Sequence, residues 1–152
     1  MNQSLIPTVS VVIPNWNGAE HLPVCLESLR GQRYLALGAG HLDSYLEVIV
    51  ADNASTDGSQ ALLAERYPEV RLIQLPENRG FTGACNAGLA VARGELLVLL
   101  NNDTEADPGW LAALLRAFEG RSDVGMAASK ILVHEDPRRI DKAGHLIYPD
   151  GQ

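Results

Sequence analysis

Cysteine is scarce in this chain: Cys25 and Cys85 stand far apart, in no CxxC pair and with no histidine at ligand spacing. That excludes a disulfide framework and a zinc site, and leaves two ordinary buried thiols as the expectation. Basic residues are also few, 12 Lys and Arg against 19 Asp and Glu, for a formal net charge of −7. A nucleic-acid backbone is therefore excluded as the main partner, because holding it takes a basic face. No apolar run approaches the roughly 20 residues of a membrane span, and the first residues lack the basic and apolar regions of a secretory leader. The expected location is the cytoplasm. Two phosphate-binding signatures are absent as well, since the first strand runs into Pro14-Asn15-Trp16-Asn17-Gly18 without GxGxxG, and GxxxxGK occurs nowhere. Any diphosphate has to be held by other means.

What the chain does have is 152 residues, 46% of them hydrophobic, enough for one domain with a real core. Residues 9–13 read as a β-branched strand broken by turn chemistry at 14–18. Leu22, Cys25, Leu26 and Leu29 then form the stripe of a helix over 20–30, and residues 31–45 read as a loop insertion. A second strand over 46–51 leads through the polar turn Asp52-Asn53-Ala54-Ser55-Thr56-Asp57-Gly58 to a helix carrying Leu62, Leu63 and Tyr67. Asp57 is expected to cap that helix. The third unit is a strand over 70–75, the turn Pro76-Glu77-Asn78-Arg79-Gly80, and a small-sided helix over 82–93 in which Ala84, Ala87, Gly88 and Ala90 permit close approach to a sheet. A fourth strand over 95–100 precedes Asp107-Pro108, read as a helix start, and an amphipathic helix that ends at Gly120. Residues 124–128 are expected as a fifth strand and the stretch beyond Lys130 as loop. Strands alternating with helices imply right-handed crossovers and a mainly parallel sheet with helices on both faces, a three-layer α/β/α fold.

The most informative stretch is Leu96-Leu97-Val98-Leu99-Leu100 followed by Asn101-Asn102-Asp103-Thr104. Five apolar residues in a row predict a strand covered on both faces, delivering two amides and a carboxylate to its carboxyl end. Parallel strands send all their carboxyl ends to one edge, so Asn15, Asn17, Asp52, Asn53 and the 101–103 cluster are expected in one cleft. Helix starts at the same edge add partial positive charge. Asp103 offers a hard oxygen to a divalent cation, and the amides can bond hydroxyls. This reading fails if Asp52 and Asp103 face opposite sides of the molecule.

The ordered set Val9-Ser10-Val11-Val12-Ile13-Pro14-Asn15-Trp16-Asn17, Val50-Ala51-Asp52-Asn53-Ala54-Ser55-Thr56-Asp57-Gly58, Asn78-Arg79-Gly80-Phe81 with Asn86-Ala87-Gly88, and Leu100-Asn101-Asn102-Asp103 with Asp107-Pro108-Gly109-Trp110-Leu111 resembles family 2 glycosyltransferases of the GT-A fold. The likeness runs over about residues 8–130. It implies a nucleotide-diphosphate-sugar donor, a divalent metal (Mg²⁺ or Mn²⁺) and inverting transfer to a hydroxyl acceptor. Carried over by residue, it places Pro14, Asn15 and Asn17 in the turn beside the nucleotide, Asp52 on the base, Asn53 at the ribose and Arg79 near the base or phosphates. Asn101, Asn102 and Asp103 match the DXD-type motif, in which only Asp103 keeps its carboxylate; Asp103 is then the metal ligand, and Asn102 is suited to hydroxyls. The amide-for-acid pattern with Thr104, together with Lys130-Ile131-Leu132 and Ile140-Asp141-Lys142-Ala143-Gly144, resembles the rhamnosyltransferase-like branch and implies a dTDP- or UDP-linked sugar for cell-surface polysaccharide.

The same resemblance implies a catalytic base well beyond Asp103, and none of Glu135, Asp136, Asp141 or Asp150 has the strand-loop setting for it. The expectation is therefore a donor-binding domain over 1–130 and a loop-rich tail over 131–152, truncated before the acceptor half that would bind a glycan or lipid-linked acceptor at the inner face of the membrane. Apolar surface left by such a truncation favours self-association. The competing reading is a non-catalytic nucleotide-binding or dimerisation module that keeps the fold for its surfaces. A nucleotidyltransferase is disfavoured, for want of an early Lys- and Gly-rich loop. His21, His41, His134 and His145 are read as surface or packing residues, and Trp16 as packing.

Overall fold

A computed structural model describes residues 9–32 and 46–144. The expected loop insertion at 31–45 lies outside the described residues from 33 on, as do His41, His145 and Asp150. Two compact units result, Met1–Pro108 and Gly109–Gln152.

In the first unit the order is β1 (Val9–Asn15), α1 (Leu22–Arg30), β2 (Leu46–Asp52), α2 (Ser59–Arg66), β3 (Arg71–Gln74), α3 (Gly80–Leu89) and β4 (Leu96–Leu99). The four strands form one sheet in the order β3-β2-β1-β4, every pair parallel. The chain walks outward from β1 to β3 and then returns past β1 to place β4 on its other side. With right-handed crossovers that reversal puts α1 and α2 on one face and α3 on the opposite one. β1 is buried along its whole length, as a strand covered on both faces must be. On the α3 side Gly88 meets Val12 and Ala51, a contact that a side chain there would block. The small residues read from the sequence thus do what they predict, and Ala84 completes the layer with Ala51 and Leu75.

The apolar run at β4 corrects one expectation. β4 pairs with β1 alone among the described residues, and Leu97 and Leu99 are each 52% exposed. A continuous apolar run registers the hydrophobicity of both faces and not whether both are covered.

In the second unit, α4 (Trp110–Arg116) is followed by the antiparallel pair β5 (Lys130–Val133) and β6 (Asp136–Ala143). α4 starts later than Asp107-Pro108 predicts, with Gly109 at its N-cap and no side chain capping it. It also ends early: the bonds Ala117 N–H to Leu114 O and Phe118 N–H to Leu115 O tighten its exit before Gly120 turns at φ +65. Residues 124–128 form no strand, and a run of that length needs a hydrogen-bonded neighbour to become one. The stretch beyond Lys130, expected as loop, is instead a hairpin turning at His134 and Glu135. Pro137 and the charges at Arg138, Arg139, Asp141 and Lys142 conceal it in the sequence. A two-stranded ribbon tolerates them because half of its N–H groups and both its faces can meet solvent.

Candidate functional site

The topological reversal fixes where a site can form. Ligands in open parallel sheets bind outside the carboxyl ends of the strands, where the strand order reverses, here between β1 and β4. The register sets Asn15 of β1 beside Asp52 of β2 and Asp52 beside Gln74 of β3. The ladders run on past the strands, with Asn53 N–H to Asn15 O at 2.8 Å and Leu100 N–H to Val12 O at 3.0 Å. At this edge opens a cleft of about 420 Å³.

Six expected site residues line it: Pro14 and Asn15 from the end of β1, Asn53 after β2, and Asn101, Asn102 and Asp103 after β4. Asn102 donates from Nδ2 to Asn15 Oδ1 at 2.8 Å, and Asn15 donates to Asp52 Oδ1 at 2.9 Å. Asp52 and Asp103 therefore share one edge of the sheet. Gly18 has a steric duty here, since a Cβ on it would strike Asn102 Nδ2 and lie 2.5 Å from Asn15 Oδ1.

Three expected residues do not line the cleft. Asp52 is fully buried, accepting from Asn15, from Ser55 N–H at 3.1 Å and from Gln60 Nε2 at 2.7 Å. Asn17, at φ +51, staples the first two turns together: its Oδ1 accepts from Thr56 N–H at 2.8 Å and its own N–H donates to Ser55 Oγ at 2.9 Å. Asp57 extends that staple by accepting from Ala19 N–H at 2.8 Å, while its other oxygen takes the Ser59 N–H at the start of α2. The capping expectation is met from one position before the Gly58 N-cap. Arg79 sits at the N-cap of α3, its side chain exposed and 3.6 Å from Glu77. Asn53 lines the cleft yet spends its amide on structure, accepting from Arg79 N–H at 2.8 Å and donating to Asn78 Oδ1 at 2.8 Å and Gly80 O at 3.1 Å.

Sequence reasoning missed Trp16, Asn78, Gly80, Phe81 and Ala84, which also line the cleft. Trp16 is 59% exposed and Phe81 61%, so neither is a packing residue. A usable signal was present: each is a large aromatic placed directly at a strand-to-helix turn of the binding edge.

Asp103 is the one titratable side chain among the described residues lining the cleft. It is exposed, and no described residue hydrogen-bonds its carboxylate. No group of three His, Cys, Asp or Glu that could hold a metal exists among the described residues. The donor set nonetheless fits Mg²⁺ or Mn²⁺ of the substrate-dependent kind, which takes one or two carboxylates and completes its shell with phosphates and water. Behind the cluster, burial pushes the Cys25 thiol up to about 11, with the nearby Asp103 charge adding to the rise and a hydrogen bond with Thr104 opposing it. Cys25 and Cys85 are both buried and free, as expected from their spacing, so Cys25 is a packing thiol and no nucleophile. His21 is half-exposed beside Glu20 at 3.2 Å.

Fold and cleft together define an α/β domain with a cleft at the reversal of strand order. The chain belongs to glycosyl transferase family 2, whose model matches residues 10–147. Among curated relatives, chondroitin synthase of Escherichia coli is 31% identical over 145 residues, 93% of this chain and 19% of its own length. Glycosyltransferase AglE of Haloferax volcanii is 32% identical over 120 residues, 77% of this chain and 37% of that protein. Among solved structures, the mannosyltransferase PcManGT of Pyrobaculum calidifontis in complex with GDP-Man and Mn²⁺ is 31% identical at a TM-score of 0.56, over 69% of this chain and 30% of that one. S. aureus TarS 1-349 in complex with UDP aligns at a TM-score of 0.63 and 19% identity, over 82% of this chain and 41% of that one, a likeness of fold alone. The GT-A fold with its mainly parallel sheet is as the sequence predicts. The chain spans well under half the length of these relatives.

Proposed function

We propose that the cleft binds a nucleoside-diphosphate sugar together with a divalent cation, as the donor site of an inverting glycosyl transfer to a hydroxyl. The observation that carries this reading is the exposed Asp103, whose carboxylate no described residue hydrogen-bonds, beside Asn102 in a cleft flanked by two solvent-facing aromatics. The similarity to a mannosyltransferase that holds GDP-Man and Mn²⁺ supports it. Trp16 and Phe81 offer flat apolar faces to a base or sugar ring. Asn101 and Asn102 offer amides to hydroxyls, and Asp103 would hold the cation. The chemistry a divalent cation supplies there is neutralisation of the departing diphosphate. Asn53 contributes by fixing the Asn78–Gly80 turn, and with it the start of α3 at the cleft wall.

The base that deprotonates the acceptor is assigned outside the cleft, because Asp103, the one carboxylate among the described residues lining it, is given to the cation. A glycan or lipid-linked acceptor, met at the cytoplasmic face of a membrane, completes the proposal, and none of these residues is assigned to it. No helix among the described residues is long and apolar enough to cross a membrane. The pattern from Asn101 to Thr104 makes dTDP-rhamnose the first sugar donor to try, ahead of UDP-linked hexoses. Self-association remains part of the proposal, carried by the exposed Leu97 and Leu99.

Because one carboxylate cannot hold Mg²⁺ alone, metal and nucleotide should bind together and each poorly without the other. Calorimetric titration of UDP, dTDP and GDP with and without Mg²⁺ tests this. Asp103→Ala is expected to weaken metal-dependent binding at least about tenfold, a loss of about 1.4 kcal/mol. Equal binding by wild type and variant would remove Asp103 from the role. Trp16→Ala should weaken the same nucleotides by about fivefold to tenfold with metal or without it, through lost ring contact alone. A nucleotide-blind wild type that forms a stable oligomer in light scattering would favour the non-catalytic module instead.

A further inference from the structure

Three N–H groups converge on Asp52: Asn15 Nδ2 on Oδ1, and Ser55 N and Gln60 Nε2 on Oδ2. The residue is fully buried and is not part of the cleft wall. Its reach into the site is indirect. Asn15 is itself 1% exposed, and its amide can face Asp52 only with its NH₂, because the carboxylate oxygens already act as acceptors. The same NH₂ lies 3.3 Å from Ser55 Oγ. The carbonyl oxygen of Asn15 is thereby turned toward Asn102, which must answer with its own NH₂, at 2.8 Å. Each amide orientation dictates the next.

We propose that Asp52 is a positioning residue for the donor site: acting through Asn15, it fixes the amide of Asn102 so that the Asn102 carbonyl oxygen is the atom left for a ligand. An acceptor held at that point selects a hydroxyl or a cation and disfavours a bare phosphate oxygen. The ligand half of this inference rests on the donor-site reading above; the relay among the three side chains does not.

The relay can be inverted with nearly isosteric changes. In Asp52→Asn the new carbonyl oxygen belongs opposite Ser55 N and Gln60 Nε2, where two donors point, so the new NH₂ faces Asn15. Asn15 then has to turn over, and Asn102 after it, which presents an NH₂ to the cleft in place of the oxygen. Asn102→Asp alone sets a carboxylate against the Asn15 oxygen, and turning Asn15 over only moves the clash to Asp52. With both substitutions present every donor again meets an acceptor, and an oxygen again faces the cleft.

The test is the full cycle of wild type, Asp52→Asn, Asn102→Asp and the double variant, in the whole chain. It is read as UDP affinity in the presence of Mg²⁺, as thermal midpoint, and as the side-chain amide resonances of Asn15 and Asn102 without ligand. Each single variant is expected to bind about tenfold more weakly, Asp52→Asn because an NH₂ meets the ligand in place of an oxygen, and Asn102→Asp because one buried hydrogen bond goes unmet. Asn102→Asp should also melt lower than wild type, and Asp52→Asn should shift both amide pairs. The double variant is expected to recover affinity to within about threefold of wild type and to regain the lost midpoint. Losses that instead multiply in the double variant, or Asn15 and Asn102 amide resonances unchanged by Asp52→Asn, would overturn the relay. A wild type that binds no nucleotide would count against the donor-site reading alone, since midpoint and resonances still decide between coupled and independent side chains.

Discussion

Gly94→Ala is expected to cost about 2–4 kcal/mol, a large part of the 5–15 kcal/mol that ordinarily separates a folded domain from its unfolded chain. Gly94 lies between α3 and β4, where its N–H donates to Ser10 Oγ at 2.8 Å. A Cβ at this position would meet the backbone of β1, striking Ser10 N and lying 2.7 Å from Val9 C. A flexible side chain could swing aside from such an intrusion. The fully buried β1 cannot, because it is paired on both edges, with β2 and β4. Urea unfolding of Gly94→Ala beside Gly125→Ala provides the measurement, since a Cβ at Gly125 meets nothing within 4 Å. The second variant is expected within about 0.5 kcal/mol of wild type. Equal midpoints for the two would mean that the approach of residue 94 to β1 carries no weight.

Glu47→Gln should lower stability by about 3 kcal/mol at pH 7 and by very little at pH 2. Glu47 sits at the amino end of β2, opposite to the cleft. It accepts from Ser10 Oγ at 2.6 Å, Arg93 N–H at 3.0 Å, Arg93 Nε at 2.9 Å and Arg71 Nη1 at 3.2 Å. Burial by itself pushes this carboxyl up, but the hydrogen bonds from Ser10, Arg93 and Arg71 outweigh it and bring the pKa from 4.5 down to about 2. A carboxyl depressed by folding contributes its full stabilisation above its unfolded value and loses it as the pH falls through its folded value. The window is therefore about pH 5 to pH 2. At about 1.4 kcal/mol per unit of pKa, the shift gives the figure above. Urea midpoints of wild type and variant across that range check it: the two curves should converge on acidification, to within about 1 kcal/mol by pH 2.5. A gap that stays constant with pH would assign the loss to packing. Nucleotide binding should be unchanged at pH 7, because the cluster ties Ser10, Arg71 and Arg93 together at the far edge of the sheet.

The existence of a cleft, and most of its wall, could be read from the chain because parallel β-α units obey a rule of direction: carboxyl ends share an edge. Asn15, Asn53 and the 101–103 cluster follow from that rule alone, and Pro14 from the family resemblance. Which polar groups remain free for a ligand does not follow. Asn17 and Asp52 are consumed by partners such as Ser55, Thr56 and Gln60, and these pairings depend on how two turns interlock in space. Composition within either turn gives no hint of it. Trp16 and Phe81 escaped for a different reason: a lone aromatic belongs to no periodic pattern, and only its place at a strand-to-helix turn of the binding edge marks it as a rim residue. The hairpin of β5 and β6 was hidden because apolar periodicity reports burial, and a ribbon whose residues are mostly exposed produces none.

The seam between β1 and β4 has a consequence for how the molecule comes into being. Asn15 and Asn102 touch across 87 positions of chain, and everything between them must be threaded through three crossovers before that bond can close. Joining such distant partners is entropically the slowest kind of step in folding. The cleft wall is thus completed last, because the 101–103 cluster joins it only once β4 has paired with β1.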